Sequence, residues 1–371
     1  MILQSIALTN FKNIAAAQLD FSPKINCLLG DNGMGKSNLL DAIHYLSFVR
    51  SYGRLSDSLL IRRGEDFSIL KGQYLRGDTP EEITAGLRRG GRKSLRRGGK
   101  EYKRLSTHIG LLPAVMVAPA DLSLVTESGE ERRRFADMII SQSDTAYLDA
   151  LIRYNHLLEQ RNRLLRDGAE DRALYETIEV MMDAAAAIIT DRRQTFVDRL
   201  TEIFVPYYNR IADTDEVPAL AYAASTAAYG SLLDALEHNR RRDHILTHTS
   251  VGPHRDDIVF SLDDMPLRAT ASQGQTKTFT IALRFAQYDF LAQATGLKPL
   301  LLLDDIFDKL DARRVARIID IVSSADFGQI FITDTNRKHL DELMLDAGGD
   351  HRLWHVNNGE YSPILSSNET N

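Results

Sequence analysis

Eight consecutive residues, Gly30-Asp31-Asn32-Gly33-Met34-Gly35-Lys36-Ser37, constrain this chain more than any other stretch. They satisfy the phosphate-binding loop pattern G-x-x-x-x-G-K-[ST] at every fixed position. Ile25-Asn26-Cys27-Leu28-Leu29 reads as a short buried strand entering the loop, and Ser37 to Ile43 as a helix leaving it. Glycines let such a loop curl until its N–H groups point inward at phosphate, and the helix N-terminus adds a favourable dipole. Lys36 is expected at the β- and γ-phosphates of a nucleotide, and the Ser37 hydroxyl at Mg²⁺, with Asn38 beside it in the first turn. The alternative is a bare glycine-rich turn, and the strand and helix on either side weigh against it. An α/β core that binds a nucleotide is expected.

The totals narrow the partners. A chain of 371 residues accommodates two domains, or one with a large insertion. The net charge of −6 means that any nucleic-acid contact must come from a local basic patch. The single cysteine, Cys27, permits no internal disulfide and reads as a small buried hydrophobe. With no apolar run of membrane-spanning length and no signal-peptide pattern, a soluble cytoplasmic protein without a membrane partner is expected.

Along the chain, residues 2–8 and 16–21 form a hairpin pattern around Asn10-Phe11-Lys12-Asn13, and Tyr45 to Tyr52 reads as a loop. A short helix over 56–63 and strands over 67–75 and 82–87 follow. The character changes at Ser128-Gly129-Glu130-Glu131, a capping-box match. Helices are expected to about Ile140, over 146–166 and over 171–204, with Pro206 ending the run and a looser stretch to about Asn239. Residues 128–245 thus read as a mostly helical lobe inserted into an ATPase lobe made of 1–127 and 246–371. Beyond Ser250 the α/β rhythm returns: strands at 258–262, 299–303 and 329–333, helices at 276–293 and 313–323, and a polar, frayed tail over 364–371.

Leu300-Leu301-Leu302-Leu303-Asp304-Asp305 supplies a second part of the site. A buried strand ending in a carboxylate delivers it to the edge of the sheet where loop-bound phosphates sit. Asp304 is expected to hold Mg²⁺, and Asp305 to accept a proton from the attacking water. Ser272-Gln273-Gly274-Gln275 precedes this strand by one helix. Alone it reads as an N-cap; in the order loop, signature, acidic strand it points to ABC-type ATPases. There Ser272, Gly274 and Gln275 would grip the γ-phosphate held by a partner subunit, and Leu310-Asp311 would cross the dimer interface. The expected fold is an ABC-type P-loop ATPase head with a mixed β-sheet and the inserted helical lobe.

Over most of its length the sequence resembles the RecF family of bacterial DNA-repair ATPases, which is related to SMC proteins. The resemblance runs through Leu8 to Asn13, Gly30 to Ser37, Val117 to Leu122, Arg132 to Asp137, Gln160 to Leu165, Gly252 to Asp257, Ser272 to Gln275 and Leu303 to Asp311. It implies an ATP-dependent homodimer that binds DNA at gaps and single/double-strand junctions. It also implies action with RecO and RecR in loading RecA, a link to replication-fork recovery and the SOS response, and slow ATP hydrolysis that releases DNA. Departures from the broader ABC pattern are Asp305 in place of the usual glutamate, no glutamine near Ala118, where Asp121 or a water would have to sense the metal, and Asp334 at the switch-histidine position. An ionised acid donates no hydrogen bond, so Asp334 receives no catalytic role.

Arg88, Arg89, Arg92, Lys93, Arg96, Arg97 and Lys100 crowd a hairpin region near 82–105. They suit salt-sensitive, sequence-tolerant contact with DNA phosphates, and equally a solvated charged hairpin. For Arg132 to Arg134 pairing with Glu130 and Glu131 is the plainer expectation, and for His254 to Asp257 a turn locked by local ion pairs. Rival readings are a transporter's nucleotide-binding subunit, an SMC or RecN head, and a non-hydrolysing ATP-dependent DNA clamp. The first lacks a place for the helical lobe, and the second requires coiled-coil arms this chain does not contain.

Overall fold

The computed structural model describes residues 1–308, 310–324, 326–338, 340–341 and 350–364. The expected tail over 364–371 therefore lies outside the described residues except for Ile364, and Lys309 of the acidic segment is also outside them. The chain divides into one unit of Met1–Asp121 with Gln287–Asn371 and another of Leu122–Ala286.

In the first unit, period-two alternation builds an antiparallel sheet from β1 (Ile2–Phe11), β2 (Ile14–Asp20), β4 (Phe67–Arg76), β5 (Thr79–Arg88), β6 (Ser94–Arg97) and β7 (Lys100–Glu101). Its order is β2-β1-β4-β5-β6-β7. A second sheet has the order β15-β14-β3-β13-β12-β8, from β3 (Ile25–Leu29), β8 (Ala114–Val117), β12 (Leu300–Asp304), β13 (Ile330–Asp334), β14 (His351–Asn357) and β15 (Glu360–Pro363). All its pairings are parallel except β14 with β15. The continuous apolar runs of β12 and β13 are what parallel strands covered on both faces require.

Helix α1 (Lys36–Phe48) touches β1, β4 and β5 of one sheet and β8, β12 and β13 of the other. That position explains why it is buried nearly all round rather than along one stripe, with the polar Asp41, His44 and Ser47 buried as well. It also extends through the 45–48 segment expected as loop, where Tyr45, Leu46 and Phe48 are buried. The single-turn α2 (Asp57–Leu60) and the amphipathic α10 (Ala312–Ser323) complete this unit, the latter capped by Asp311, which accepts from Arg314 N at 3.0 Å.

The second unit contains α3 (Ser123–Thr126), α4 (Gly129–Ser143), α5 (Thr145–Arg166), α6 (Arg172–Ala212), α7 (Leu232–Leu246) and α8 (Leu267–Thr270). Strands β9 (Pro218–Ala223), β10 (Asp257–Leu262) and β11 (Met265–Pro266) form a small sheet in the order β11-β10-β9. Helix α9 (Gln273–Thr295) carries the division between units within it. Among the described residues no helix is long and apolar enough to cross a membrane.

Several expectations change here. The units part at 121/122 and 286/287 rather than at 127/128 and 245/246. Pairing of β10 with β9, from Asp257↔Ala223 to Leu262↔Pro218, ties the later segment to the helical one. Pro206 does not end α6, which continues to Ala212. An interior proline costs about 3 kcal/mol. Burial of Phe204 and Tyr208 on either side of it, with ring centroids 4.6 and 5.9 Å from Phe279, offsets that cost. Ser128 is the N-cap of α4 without a side-chain cap hydrogen bond: Glu131 N donates to the Ser128 carbonyl at 3.2 Å, and the Glu131 carboxylate accepts from Arg134 at 3.0 Å, so the capping box stays open.

Candidate nucleotide-binding site

The phosphate loop leaves β3 and enters α1 through two left-handed glycines, Gly33 at φ +81° and Gly35 at φ +114°. Gly30 is required for space: a Cβ there would stand 2.4 Å from the Val356 carbonyl oxygen of β14. Asp31, Asn32 and Gly33 are exposed at the tip, and Met34 is half-buried. Gly35 caps α1 with no side-chain hydrogen bond, and the first turn holds no acid. The leading amides of a helix lack intrahelical acceptors, so this end suits an anion. The buried Lys36 ammonium donates to the carbonyls of Gly30 at 2.7 Å and Asp31 at 3.1 Å. It has no carboxylate partner among the described residues.

Three segments remote in sequence brace the loop. Asn13, in the β1–β2 turn, donates to Met34 O at 3.2 Å and accepts from Asn38 Nδ2 at 2.7 Å. Gly359 N donates to Met34 O at 2.7 Å, and the Tyr361 hydroxyl to Gly35 O at 2.9 Å. The third brace is β14 itself, packed on Gly30. The β14–β15 hairpin was not anticipated, although Asn358-Gly359 is a strong signal for a tight hairpin. Both residues have the positive φ such turns need, 47° and 82°.

The acidic strand arrives where expected. Ser37 Oγ donates to Asp304 Oδ1 at 2.7 Å, joining the loop helix to the end of β12. Burial pushes the Asp304 carboxyl above its ordinary range, against hydrogen bonds from Ser37 and Thr333 that lower it. Asp305 follows at φ +45°; burial also raises its pKa, while the Lys36 charge lowers it. A hydroxyl and a buried carboxylate 2.7 Å apart are hard oxygen donors whose charge a divalent cation compensates. No cluster of three or more His, Cys, Asp or Glu suited to a metal occurs among the described residues. A cation such as Mg²⁺ at Ser37 and Asp304 would draw further ligands from phosphate and water, as Mg²⁺ commonly does.

The other candidates have partners of their own. Ser272 and Gln275 form a reciprocal capping box at the start of α9: Ser272 N donates to Gln275 Oε1 at 2.7 Å and Gln275 N to Ser272 Oγ at 3.2 Å. Gln275 Nε2 also donates to Glu216 at 2.6 Å, and Gly274 lies in this first turn. These residues belong to the second unit. The Asp121 carboxylate, considered as a metal sensor, is occupied by the Tyr52 hydroxyl and, at 2.9 Å, by Ala118 N. The Gly252 to Asp257 turn is held by distant partners instead of local ion pairs. Tyr154 bonds His254 at 2.8 Å, Tyr222 bonds Asp256, and Arg132 grips Asp257 at 2.8 and 2.9 Å. Of the arginines at 132–134 only Arg134 pairs with Glu130 and Glu131; Arg133 donates to Asp256 O.

Strand alternation sorts the basic hairpin. Arg88 and Arg96 share the face of Thr84 and Gly86, opposite the buried Ile83, Ala85, Leu87 and Leu95. Arg97 turns to the other face and is held by Glu81, with Nε at 2.8 Å. Arg89 donates to Glu65 O at 3.1 and 3.2 Å, and Lys93 to Val49 O at 2.8 Å with Asp57 at 3.2 Å. Arg88, Arg92, Arg96 and Lys100 are exposed without a carboxylate partner among the described residues.

A phosphate loop on a parallel sheet, an acidic strand beside it and an antiparallel sheet over the loop helix define an ABC-type ATPase head. The match to the RecF/RecN/SMC N-terminal domain model spans residues 2–348. The chain belongs to the RecF family. It is 48% identical over 364 residues to the DNA replication and repair protein RecF of Parabacteroides distasonis, covering 98% of this chain and 100% of that one. The Bacteroides fragilis RecF is 46% identical over 361 residues, 97% of each. A solved structure of the recombination mediator protein RecF with ATP, of the RecFOR pathway, superposes with TM-score 0.88 at 28% identity over 98% of both chains. An Smc head domain from Pyrococcus furiosus, with TM-score 0.60 at 17% identity over 99% of this chain and 97% of that one, shares the fold.

Proposed function

We propose that this chain is an ATP-dependent DNA-binding protein of recombinational repair and replication-fork recovery. In this reading two copies close over ATP, each loop of Gly30 to Asn38 facing Ser272, Gly274 and Gln275 of the other copy. The closed homodimer binds DNA at gaps and single/double-strand junctions, acts with RecO and RecR in the cytoplasm to promote RecA loading, and takes part in the SOS response. Arg88, Arg92, Arg96 and Lys100 contribute the phosphate contacts, with Arg89, Lys93 and Arg97 supporting the hairpin. The observation that carries the reading is the Ser37–Asp304 hydrogen bond, which joins both parts of the nucleotide site in one unit.

Within the site, Lys36 orients and neutralises the terminal phosphates, and Ser37 and Asp304 hold Mg²⁺, which neutralises developing charge on phosphate oxygens. Asp305 takes a proton from the attacking water. Hydrolysis is slow and acts as a timer that opens the dimer and frees DNA. Light scattering with and without ATP tests this, on wild type and Lys36→Ala. Nucleotide-driven dimers of the wild type alone are expected; a wild type that stays monomeric with ATP and gapped DNA rejects the reading. Phosphate release with and without DNA separates a timer from a clamp that never turns over.

A further inference from the structure

We infer that Thr333 is a positioning residue that sets both acids of the site at once, an assignment that rests on the nucleotide-site reading above. The sheet order explains why one residue can do this. β3, which feeds the phosphate loop, and β12, which ends in Asp304, are not neighbours; β13 runs between them, parallel to both. Their C-terminal ends therefore share one edge, and Thr333 stands opposite both Asp304 and Leu28.

Thr333 is 0% exposed. Its Oγ1 donates to Asp304 Oδ1 at 2.8 Å and accepts from Asp305 N at 3.0 Å. Asp304 Oδ1 is thus fixed by two hydroxyls, Ser37 at 2.7 Å from the loop helix and Thr333 from the sheet. Oδ2 is left without a hydrogen-bond partner among the described residues. The second contact acts on the backbone. Asp305 has φ +45°, a region that non-glycine residues enter at a cost unless held there. The bond from its amide to Thr333 holds it, so the strand ends at residue 304 and the Asp305 carboxyl leaves the alternation of the pleat. A buried hydroxyl needs partners, and a backbone carbonyl would serve for packing alone. Here both partners belong to the acidic pair. The branched side chain also restricts χ1, which keeps the hydroxyl in one place.

Thr333→Val keeps the shape and removes the hydroxyl; Thr333→Ser keeps the hydroxyl and removes the methyl. On the full chain, binding of a fluorescent ATP analogue in EDTA, its Mg²⁺ titration and single-turnover phosphate release are measured together. Binding by Thr333→Val in EDTA is expected to stay close to wild type, which also shows that the variant is folded. Its half-maximal Mg²⁺ concentration is expected to rise about tenfold and its phosphate release to fall roughly 10- to 100-fold, as for lost partners of metal-ligating groups. Thr333→Ser is expected to recover most of both. A Thr333→Val protein that matches wild type in Mg²⁺ titration and release overturns the inference while leaving the nucleotide site standing. Thr333→Ser failing as badly as Thr333→Val overturns it too. Wild type that binds no nucleotide removes the site reading itself.

Discussion

Removing Arg161 from the helical unit is expected to destabilise that unit alone. Arg161 is 0% exposed and holds three elements together. From α5 it donates through Nε to Glu179 of α6 at 2.9 Å, and through Nη1 to Asp243 of α7 and to Thr249, both at 2.8 Å. The two acids are not equally dependent on it. Glu179 keeps a second cation, Arg240 at 3.0 Å. Asp243, also 0% exposed, is otherwise held among the described residues only by Ser250 N and Oγ at 3.0 and 2.6 Å. Arg161→Ala therefore strands one buried carboxylate. Breaking a buried pair in this way costs about 3–5 kcal/mol, against a typical domain stability of about 5–15 kcal/mol. Arg161→Met with Asp243→Asn fills part of the volume and removes the stranded charge, so it is expected to recover at least about half of the loss. Urea unfolding followed by far-UV circular dichroism reports the helices, and the single tryptophan, Trp354 in β14, reports the other unit. The expected result is an early helical transition with the tryptophan transition unmoved. A loss below about 1 kcal/mol, the scale of an exposed ion pair, would refute the assignment of a buried charge network. So would a double variant no more stable than Arg161→Ala.

His254 makes the same unit acid-sensitive. Its Nε2–H donates to Thr249 O at 3.0 Å while Nδ1 accepts from Tyr154, and burial lowers its pKa to about 4. The unfolded chain, with an ordinary histidine pKa near 6.5, binds more protons between these values, so stability rises with pH there and is lost as pH falls. Between pH 7 and 5 this contributes a loss of about 2 kcal/mol, which His254→Gln is expected to remove from the urea-unfolding pH profile. A profile unchanged by the substitution counts against a neutral buried imidazole. In the basic hairpin, neutralising Arg88, Arg92, Arg96 and Lys100 is expected to lower the salt slope of DNA binding by about 0.7–0.9 for each phosphate contact removed. Neutralising Arg97, committed to Glu81, is expected to leave the slope unchanged; the reverse ranking in a salt titration would place the footprint elsewhere.

How much of this was legible in the sequence depended on whether the chemistry is local. The phosphate loop and the Leu300-to-Asp304 strand are contiguous, and each demands a residue type at each position: glycine where φ is positive or β14 presses close, a carboxylate where a buried strand meets the site. Both stood where the spacing predicted. The ends of α4, α5, α9 and α10 were also legible to within a turn, since apolar periodicity is local, whereas the C-terminal ends of α1 and α6 and the whole of α7 were not. What the sequence hid are features created by distant partners. Pro206 breaks a helix in isolation but not one whose aromatics on either side are buried against Phe279. β9, Pro218-Ala-Leu-Ala-Tyr-Ala, has almost no strand propensity and exists because β10 pairs with it. Charge counts around the hairpin could not separate Arg97 from Arg96. Only the pleat does that, by sending neighbours to opposite faces.

The same distinction bears on how the site works. Ser37 and Asp304 identify the chemistry, but the positions of their atoms are set by Asn13, Thr333, Gly359 and Tyr361, drawn from four separate strands or turns. None of these belongs to a recognisable nucleotide motif, and each contacts either the loop backbone or Asp304. Because α1 is buried between the two sheets, the loop at its N-terminus has little freedom to shift without disturbing both. A nucleotide site built this way derives its precision from the sheets as much as from the loop. Substitutions at β13 or in the β14–β15 turn should therefore alter nucleotide handling although neither carries a phosphate-binding residue.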